Sequence, residues 1–489
     1  MKTVLSVYTM NTLNMGRGGP GSAEEQIKIL GDILLAQNAD VSVLPEVSQG
    51  LFGSGRVDEL PSLANAEAAT QVSNVADLLN QVPLKVANVA ADILDGVPYV
   101  GNVFGNWVKG IVGVATSAVS VVVATIVAPA VGKAVEVKVS AAGTVLKAVV
   151  EVTGAIVGKD MAEGALEAVI KAPIHLVGIQ TGNLISGDDS RLKELVAYMN
   201  KHSSDGLYQY AMNGTTATIS KYSLLETKAN AAGGTSTILD LDNSGDVSNG
   251  DIHLDSVHLP AEKYTAWLPR GLEQKGYEGT AGTPVTDLET LREHNKSSSR
   301  QEEISKVIAH HDKNYAHLAH VITGDFNEPS HQDWTEATSG LYGHNGVIYQ
   351  WDTTKKLTDS AYLDTFRAVY PDPVKNPGFT WASEAAGGSF KGSPVDDRDR
   401  IDFTFIKSGQ GTEIRPVGAN LVGNEGFYVS GELIEKGGSP NDVILSKGMS
   451  KWPSDHKGIF IKLEVSSAPH NGEVPEVQLV GSHANFDIT

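Results

Sequence analysis

Asp325 and Asn327 stand one residue apart at the end of the β-branched run Val321-Ile322-Thr323 and Gly324. A buried strand ending this way delivers two polar side chains to its exit loop, where α/β enzymes keep their chemistry. The pair suits one phosphate, with Asp325 as base or metal ligand and Asn327 as donor to an oxyanion. Alone, the tetrapeptide is better read as a strand followed by an ordinary Asx turn, with Pro329 and Ser330 following. The decision falls to other residues of the same kinds.

Six such residues, Asn11, Glu46, His258, Asp402, Asp455 and His456, also lie at expected strand ends or in the loops that follow. Val4 to Thr9 alternates as a half-buried strand and leads to Asn11. Ser22 with Glu25, then Ile27, Leu30, Ile33 and Leu34, reads as a capped amphipathic helix. Val41 to Val47 is a short buried strand with Glu46 near its exit. This β-α-β opening puts Asn11 and Glu46 at one sheet edge, where they can meet. Further on, Arg191 to Lys201 is a helix, and Tyr208 to Ile219, Ser236 to Leu241 and Ile252 to Leu259 alternate as strands. A helix occupies the later part of Thr286 to Ala309, carrying Arg300. The Asp325 strand, a strand from Arg400 to Ile406 and a last strand from Ile459 to Val465 complete the expected set.

With 489 residues the chain can bury a large core, and it contains no cysteine. Disulfides, thiolate metal sites and cysteine nucleophiles are therefore excluded, which leaves oxygen and imidazole ligands. The formal net charge of -20 argues against nonspecific binding of a long polyanion, although a local basic groove or bound divalent cations offset a global charge. Met1 to Val7 has no signal-peptide pattern and alternates like a first strand. The composition suits a secreted bacterial protein and a cytoplasmic one equally.

Between about residues 55 and 187 the chain turns rich in Ala, Val and Gly, with helical patterning at Val75, Leu78, Leu79, Val82 and Val86. An inserted, mainly helical domain is expected there. Residues 111–131 form an uncharged run long enough to span a bilayer. The run lacks Leu and Phe and has Pro129 near its end, so a buried helix is favoured over a membrane-active one. The core is then residues 1–54 with 188–465, and residues 466–489 form a polar extension.

Taken in order, the polar strand-end residues sit in Met10-Asn11, Leu44-Pro45-Glu46-Val47, Val257-His258-Leu259-Pro260, Gly324-Asp325-Phe326-Asn327, Arg400-Ile401-Asp402-Phe403 and Ser454-Asp455-His456. This ordered set closely resembles the endonuclease/exonuclease/phosphatase (DNase I-like) superfamily. The resemblance covers both parts of the core and none of the insertion. It implies a four-layer α/β sandwich, two mostly antiparallel sheets face to face with helices outside, which hydrolyses phosphate esters with one or two divalent cations. By the same resemblance Glu46 is the main metal ligand with Asn11 and Asp455 close by, and Asp325 orients or deprotonates the attacking water. Asn327 and His258 hold phosphate oxygens, His456 with Asp402 forms a hydrogen-bonded pair facing phosphorus, and Arg300 matches a recurrent position that contacts phosphate. Pro45 departs from the Gln usual before the metal-binding Glu.

Hard oxygen ligands favour Mg²⁺, Mn²⁺ or Ca²⁺, and imidazole leaves iron or zinc open. A second metal site is suggested between Asp240 and Asp251, where Asp240, Asp242, Ser244, Asp246 and Asp251 have the spacing of an EF-hand calcium loop with Gly245 at its sixth position. The flanks alternate like strands, so a hairpin connection is the favoured reading, and calcium there would be structural. The expected activity is metal-dependent hydrolysis of small or soluble phosphomono- or diesters. Nuclease action on DNA or RNA is the alternative, and a catalytic domain delivered by a membrane-binding or translocating insertion is a third.

Overall fold

The computed structural model describes residues 2–13, 22–47, 182–204, 207–275, 278–383, 393–424, 426–434 and 452–467. Its strands are β1 (Lys2–Thr9), β2 (Val41–Leu44), β3 (Gly182–Leu184), β4 (Gln209–Asn213), β5 (Thr216–Ser220), β6 (Ser223–Ala229), β7 (Thr235–Asp240), β8 (Ile252–His258), β9 (Leu272–Lys275), β10 (Glu278–Ala281), β11 (Ala319–Asp325), β12 (Leu363–Asp364), β13 (Asp402–Lys407), β14 (Thr412–Val422), β15 (Phe427–Val429), β16 (Glu432–Ile434) and β17 (Gly458–Ser467). The helices are α1 (Ala23–Gln37), α2 (Ser190–His202), α3 (Leu288–Lys296), α4 (Arg300–Asn314), α5 (Asp352–Asp359) and α6 (Thr365–Val369).

Alternation along β1 sets the layers. Leu5 and Val7 point to one side of the strand and Tyr8 to the other, and all three are buried, so the sheet is covered on both faces. That sheet runs β14-β17-β1-β2-β5-β4-β3, and a second runs β12-β13-β11-β8-β7-β6. Leu5, Val7, Val41 and Val43 of the first meet Leu239, Ile252, Leu254 and Val321 of the second in a shared core. Outside the first sheet, Ile27, Leu30 and Leu34 of α1 and Leu192, Leu195 and Met199 of α2 pack on Tyr8, Leu44 and Tyr210. Outside the second, Ile304, Val307 and Ile308 of α4 pack on Val257, Ile322 and Phe403. Each fully buried Leu or Ile of this kind contributes about 1.5–3 kcal/mol. The result is the expected four-layer sandwich, with β1–β2, β3–β4 and β8–β11 its parallel pairs.

The capped helix forms as its sequence implies. Ser22 Oγ accepts from Glu25 N at 3.3 Å while Glu25 Oε2 accepts from Ser22 N at 2.9 Å. Two outer strands escape sequence patterning. β6 is an edge strand with only Leu224 buried, and β14 contains Pro416, accommodated by an irregularity in register between Pro416 and Gly418.

The chain divides into Met1–Phe52 with Val177–Thr489, and Gly53–Leu176. On the C-terminal side of the insertion, β3 pairs with β4 in the first sheet. The helical insertion, residues 111–131 within it and the extension beyond Ser467 lie outside the described residues. No helix among the described residues is long and apolar enough to cross a membrane.

Candidate active site

The parallel pairing of β8 with β11 sets His258 beside Asp325 at the carboxyl ends of both strands, and β13 sets Asp402 on the other side of Asp325. Gly324 makes the close approach feasible. Its φ is +144°, and a Cβ there would sit 2.0 Å from Val257 O. From the first sheet, β1 and β2 bring Asn11 and Glu46, and the loop before β17 brings Asp455 and His456.

Asp325 Oδ2 is the hub. It accepts from Asn11 Nδ2 at 2.9 Å and lies 3.9 Å from both His258 Nε2 and His456 Nε2. Asn11 Nδ2 also donates to Glu46 Oε1 at 3.1 Å, and His258 Nε2 is 3.6 Å from that same oxygen. His456 Nδ1 pairs with Asp402 Oδ2 at 2.8 Å. Asn327 donates its backbone N–H to Asp325 Oδ1 at 2.8 Å and its Nδ2 to Leu259 O at 2.9 Å. Glu46 and Asn327 hold left-handed backbone with φ of 59° and 47°, conformations that non-glycine residues adopt at some cost.

Electrostatics separates the roles. Burial and the neighbouring Asp402 carboxylate raise the Asp325 pKa to about 6, against the pull of His456, His258 and the Asn11 hydrogen bond. Burial alone would lower the pKa of His456, but the carboxylates of Asp402, Asp325 and Asp455 prevail and raise it to about 10. The imidazole is thus a cation at neutral pH, with Nε2 outside hydrogen-bond reach of any of these carboxylates.

Two oxygens, Asp402 Oδ1 and Asp455 Oδ1, are buried without a hydrogen-bond partner. Burial raises the Asp455 pKa against the pull of His456, and the Glu46 carboxylate adds to the rise. An orphaned hard oxygen beside a second carboxylate fits a divalent cation. Ligand atoms of Asp325, Asp402 and His456 lie within 4.8 Å of one another in the same site.

The structure brings Asn11, Glu46, His258, Asp325, Asn327, Asp402, Asp455 and His456 into this one site and places Arg300 behind it. Asn11 Oδ1 accepts from Leu13 N at 3.0 Å and its Nδ2 donates to two carboxylates, so it bridges Glu46 and Asp325. Arg300 is buried, with 1 % exposure, and donates to Pro260 O at 2.7 Å, Glu262 O at 3.1 Å and Lys263 O at 2.8 Å. A guanidinium committed to backbone carbonyls does not contact phosphate, and this one secures the loop behind His258. Pro45 is absorbed without loss, since its carbonyl accepts from Thr12 N at 3.0 Å and from Thr12 Oγ1 at 3.1 Å.

The Asp240–Asp251 segment connects β7 to β8 as a hairpin. Asp240 accepts from Ser244 N at 3.0 Å and Gly245 N at 2.9 Å, and Asp251 from Leu241 N at 3.0 Å and Ser248 N at 2.7 Å. Ser244 Oγ donates to Asp246 O at 2.8 Å. Oxygens of Asp240, Asp242 and Asp251 lie within 4.8 Å of one another.

No family model matches the chain. An uncharacterised protein of Caenorhabditis elegans is 41% identical over 87 residues, which is 18% of this chain and 27% of that protein. The match therefore spans about a quarter of that relative's length. Among solved structures, an endonuclease/exonuclease/phosphatase family protein from Leptotrichia buccalis superposes with a TM-score of 0.38 at 10% identity, covering 94% of this chain and 99% of that one. An endonuclease/exonuclease/phosphatase from Beutenbergia cavernae gives 0.36 at 13% identity over 95% and 72%, and a humanised D. rerio TDP2 gives 0.36 at 10% over 94% and 98%. At such scores and identities these likenesses settle nothing about the reaction, and its reading rests on the residues of the site.

Proposed function

We propose that this chain is a divalent-metal-dependent hydrolase of phosphate esters. The observation that carries the reading is the convergence on Asp325 Oδ2 of Asn11, His258 and His456, with Glu46, Asp402 and Asp455 around them. Glu46 and Asp455 would hold a divalent cation, which would supply charge neutralisation for the phosphate and lower the pKa of the attacking water.

The chain's own groups do the rest. Asp325 is ionised at neutral pH yet basic enough to take the proton of an attacking water as its oxygen bonds to phosphorus. The bond to the leaving oxygen breaks on the opposite face. The His456 cation, kept in one orientation by Asp402, presents its free Nε2–H to the charge that grows on the phosphoryl oxygens. His258 and the second Nδ2 hydrogen of Asn327 are the remaining donors for those oxygens.

Small or soluble esters are the favoured substrates, because a net charge of -20 opposes docking of long polyanions. The deciding test is a panel of aryl phosphate mono- and diesters, nucleotides, sugar phosphates, plasmid and phospholipid, run with and without EDTA. Hydrolysis of the small esters that stops in EDTA and returns with one of Mg²⁺, Mn²⁺, Ca²⁺ or Zn²⁺ is expected. Activity indifferent to EDTA, or none on any ester, overturns the proposal. Rapid plasmid cleavage at low enzyme concentration would instead make it a nuclease.

A further inference from the structure

Behind the site, Glu328 follows Asn327 and is buried, with 1 % exposure. Its Oε1 accepts from Asn295 Nδ2 at 2.8 Å, and the same Nδ2 donates to Asp352 Oδ2 at 2.9 Å. Asn295, at the end of α3, is itself buried, and its Oδ1 lies 3.5 Å from Arg300 Nη2. Arg300 in turn holds the carbonyls of Pro260, Glu262 and Lys263, and the loop those residues form begins at His258. The circuit closes on the other side, where Asn327 Nδ2 donates to Leu259 O at 2.9 Å and Leu259 N to Asp325 O at 2.9 Å.

His258 and Asn327 thus sit on two loops joined twice, once directly and once through three buried polar side chains. Arg300 Nε is buried without a partner, but the remaining polar groups of the circuit are paired, and a slip would leave a further charged or amide group unpaired. Burial raises the pKa of Glu328 while Arg300 opposes the rise, and the guanidinium stays charged throughout. The side chains of Glu328 and Asn295 bond to each other and to Asp352 and Arg300, and none of these hydrogen bonds reaches a catalytic group.

We infer that Glu328, Asn295 and Arg300 form a positioning yoke that fixes the separation of His258 and Asn327, the two donors to the phosphoryl oxygens. The naming of those donors rests on the proposed hydrolase reading. The yoke itself does not, since it is a statement about how two loops are coupled.

Asn295→Ala cuts the link between the loops, and Glu328→Gln keeps an acceptor for Asn295 while removing the charge opposite Arg300. On an aryl phosphate ester kcat is expected to fall about tenfold in Asn295→Ala and less in Glu328→Gln, the scale of a donor displaced by a fraction of an ångström. KM should stay within about twofold, and the metal concentration for half activation and the pH profile should not move. Hydrogen exchange should quicken in residues 259–263 and 326–330 together in both variants. A contact that served stability alone would lower Tm and leave kcat of the folded protein unchanged, and that result overturns the yoke. So does faster exchange confined to α3 or to one loop. If Asn295→Ala does not fold, the near-isosteric Glu328→Gln decides by the same readouts. A wild-type protein inactive on every ester would sink the hydrolase reading, while the exchange data would still judge the coupling.

Discussion

β8 and β11 carry polar pairs at both ends, and the two ends behave oppositely. At the carboxyl ends, His258 and Asp325 are neighbours, and five residues earlier His253 and His320 are neighbours in the same register. There α4 adds His311, and three imidazole nitrogens come within 4.8 Å of one another. His253 Nδ1 meets His311 Nδ1 at 3.0 Å with ring planes 10° apart, and His320 stacks on both rings. Ser236 Oγ is 2.7 Å from His253 Nε2, and His320 is taken at both nitrogens, by Tyr362 Oη at 2.6 Å and Asp255 Oδ2 at 2.8 Å. A head-to-head, nearly coplanar pair is a hydrogen bond sharing one proton, and no set of free lone pairs converges on an ion.

Burial disfavours the imidazolium at both ends, so it cannot explain their different charge states. Burial lowers His253 and His320 well below the usual range and His311 to about 4, against the pull of Asp255 on His253 and of Asp312 and Asp255 on His311. His456 faces three carboxylates and rises to about 10. The ratio of carboxylates to imidazoles decides which end holds a cation. The second difference lies in satisfaction: the active end leaves Asp402 Oδ1 and Asp455 Oδ1 without partners, whereas the described groups of the histidine end pair with one another. Unfinished polar chemistry marks the end that acts on something else.

The comparison breaks most visibly by removing a group from each end. Glu46→Gln and His456→Ala are each expected to lower hydrolysis of an aryl phosphate ester at least about a hundredfold, as loss of a metal ligand or a transition-state donor does. His311→Gln, at the other end, should leave kcat within about threefold. Equal losses at the two ends, measured on folded protein at saturating metal, would erase the distinction.

The pH dependence sharpens it. Activity should fall below about pH 6, where Asp325 takes up a proton and can no longer accept one, and above about pH 10, where His456 loses its charge. A bound cation draws the acid limb lower, so that limb should move with metal concentration while the alkaline limb stays. Asp402→Asn removes the first of the carboxylates that raise His456, and the alkaline limb of kcat/KM should then shift towards neutrality. An unmoved limb would show that another group sets it.

Most of the site was legible because its residues lie at strand ends, where period-two patterning of Val4 to Thr9, Val41 to Val47 and Val321 to Thr323 locates them. Seeing that they meet required the ordered motif set. What stayed hidden depends on side-chain direction. Arg300 has the residue type and place of a phosphate ligand, yet its guanidinium turns to three carbonyls, and no spacing rule encodes that turn. Glu328 and Asn295 are ordinary polar residues until folding buries them. The histidine end was missed for the same reason, since His253, His311 and His320 lie on two strands and a helix, far apart in sequence.

The smallest effect tests the histidine end by stability. His311 has a folded pKa near 4 against an ordinary 6.5, so on acidification the unfolded chain takes up its proton first. The stability that the neutral pair contributes is therefore present above about pH 6.5 and lost as pH falls towards about 4. Asp325 works in the opposite sense over nearly the same window, because its raised pKa lets the folded state bind a proton first. A bare acid-denaturation curve mixes the two, and only a difference isolates the histidines. Wild type and His311→Gln should therefore be melted in parallel in EDTA from pH 7.5 to 4. At neutral pH the variant should lie about 1–3 kcal/mol below wild type, a Tm deficit of several degrees. The deficit should shrink through pH 6.5 to 4, as wild type loses what the variant never had. A deficit constant with pH would mean that His311 contributes through packing alone and that the proton it shares with His253 carries no weight.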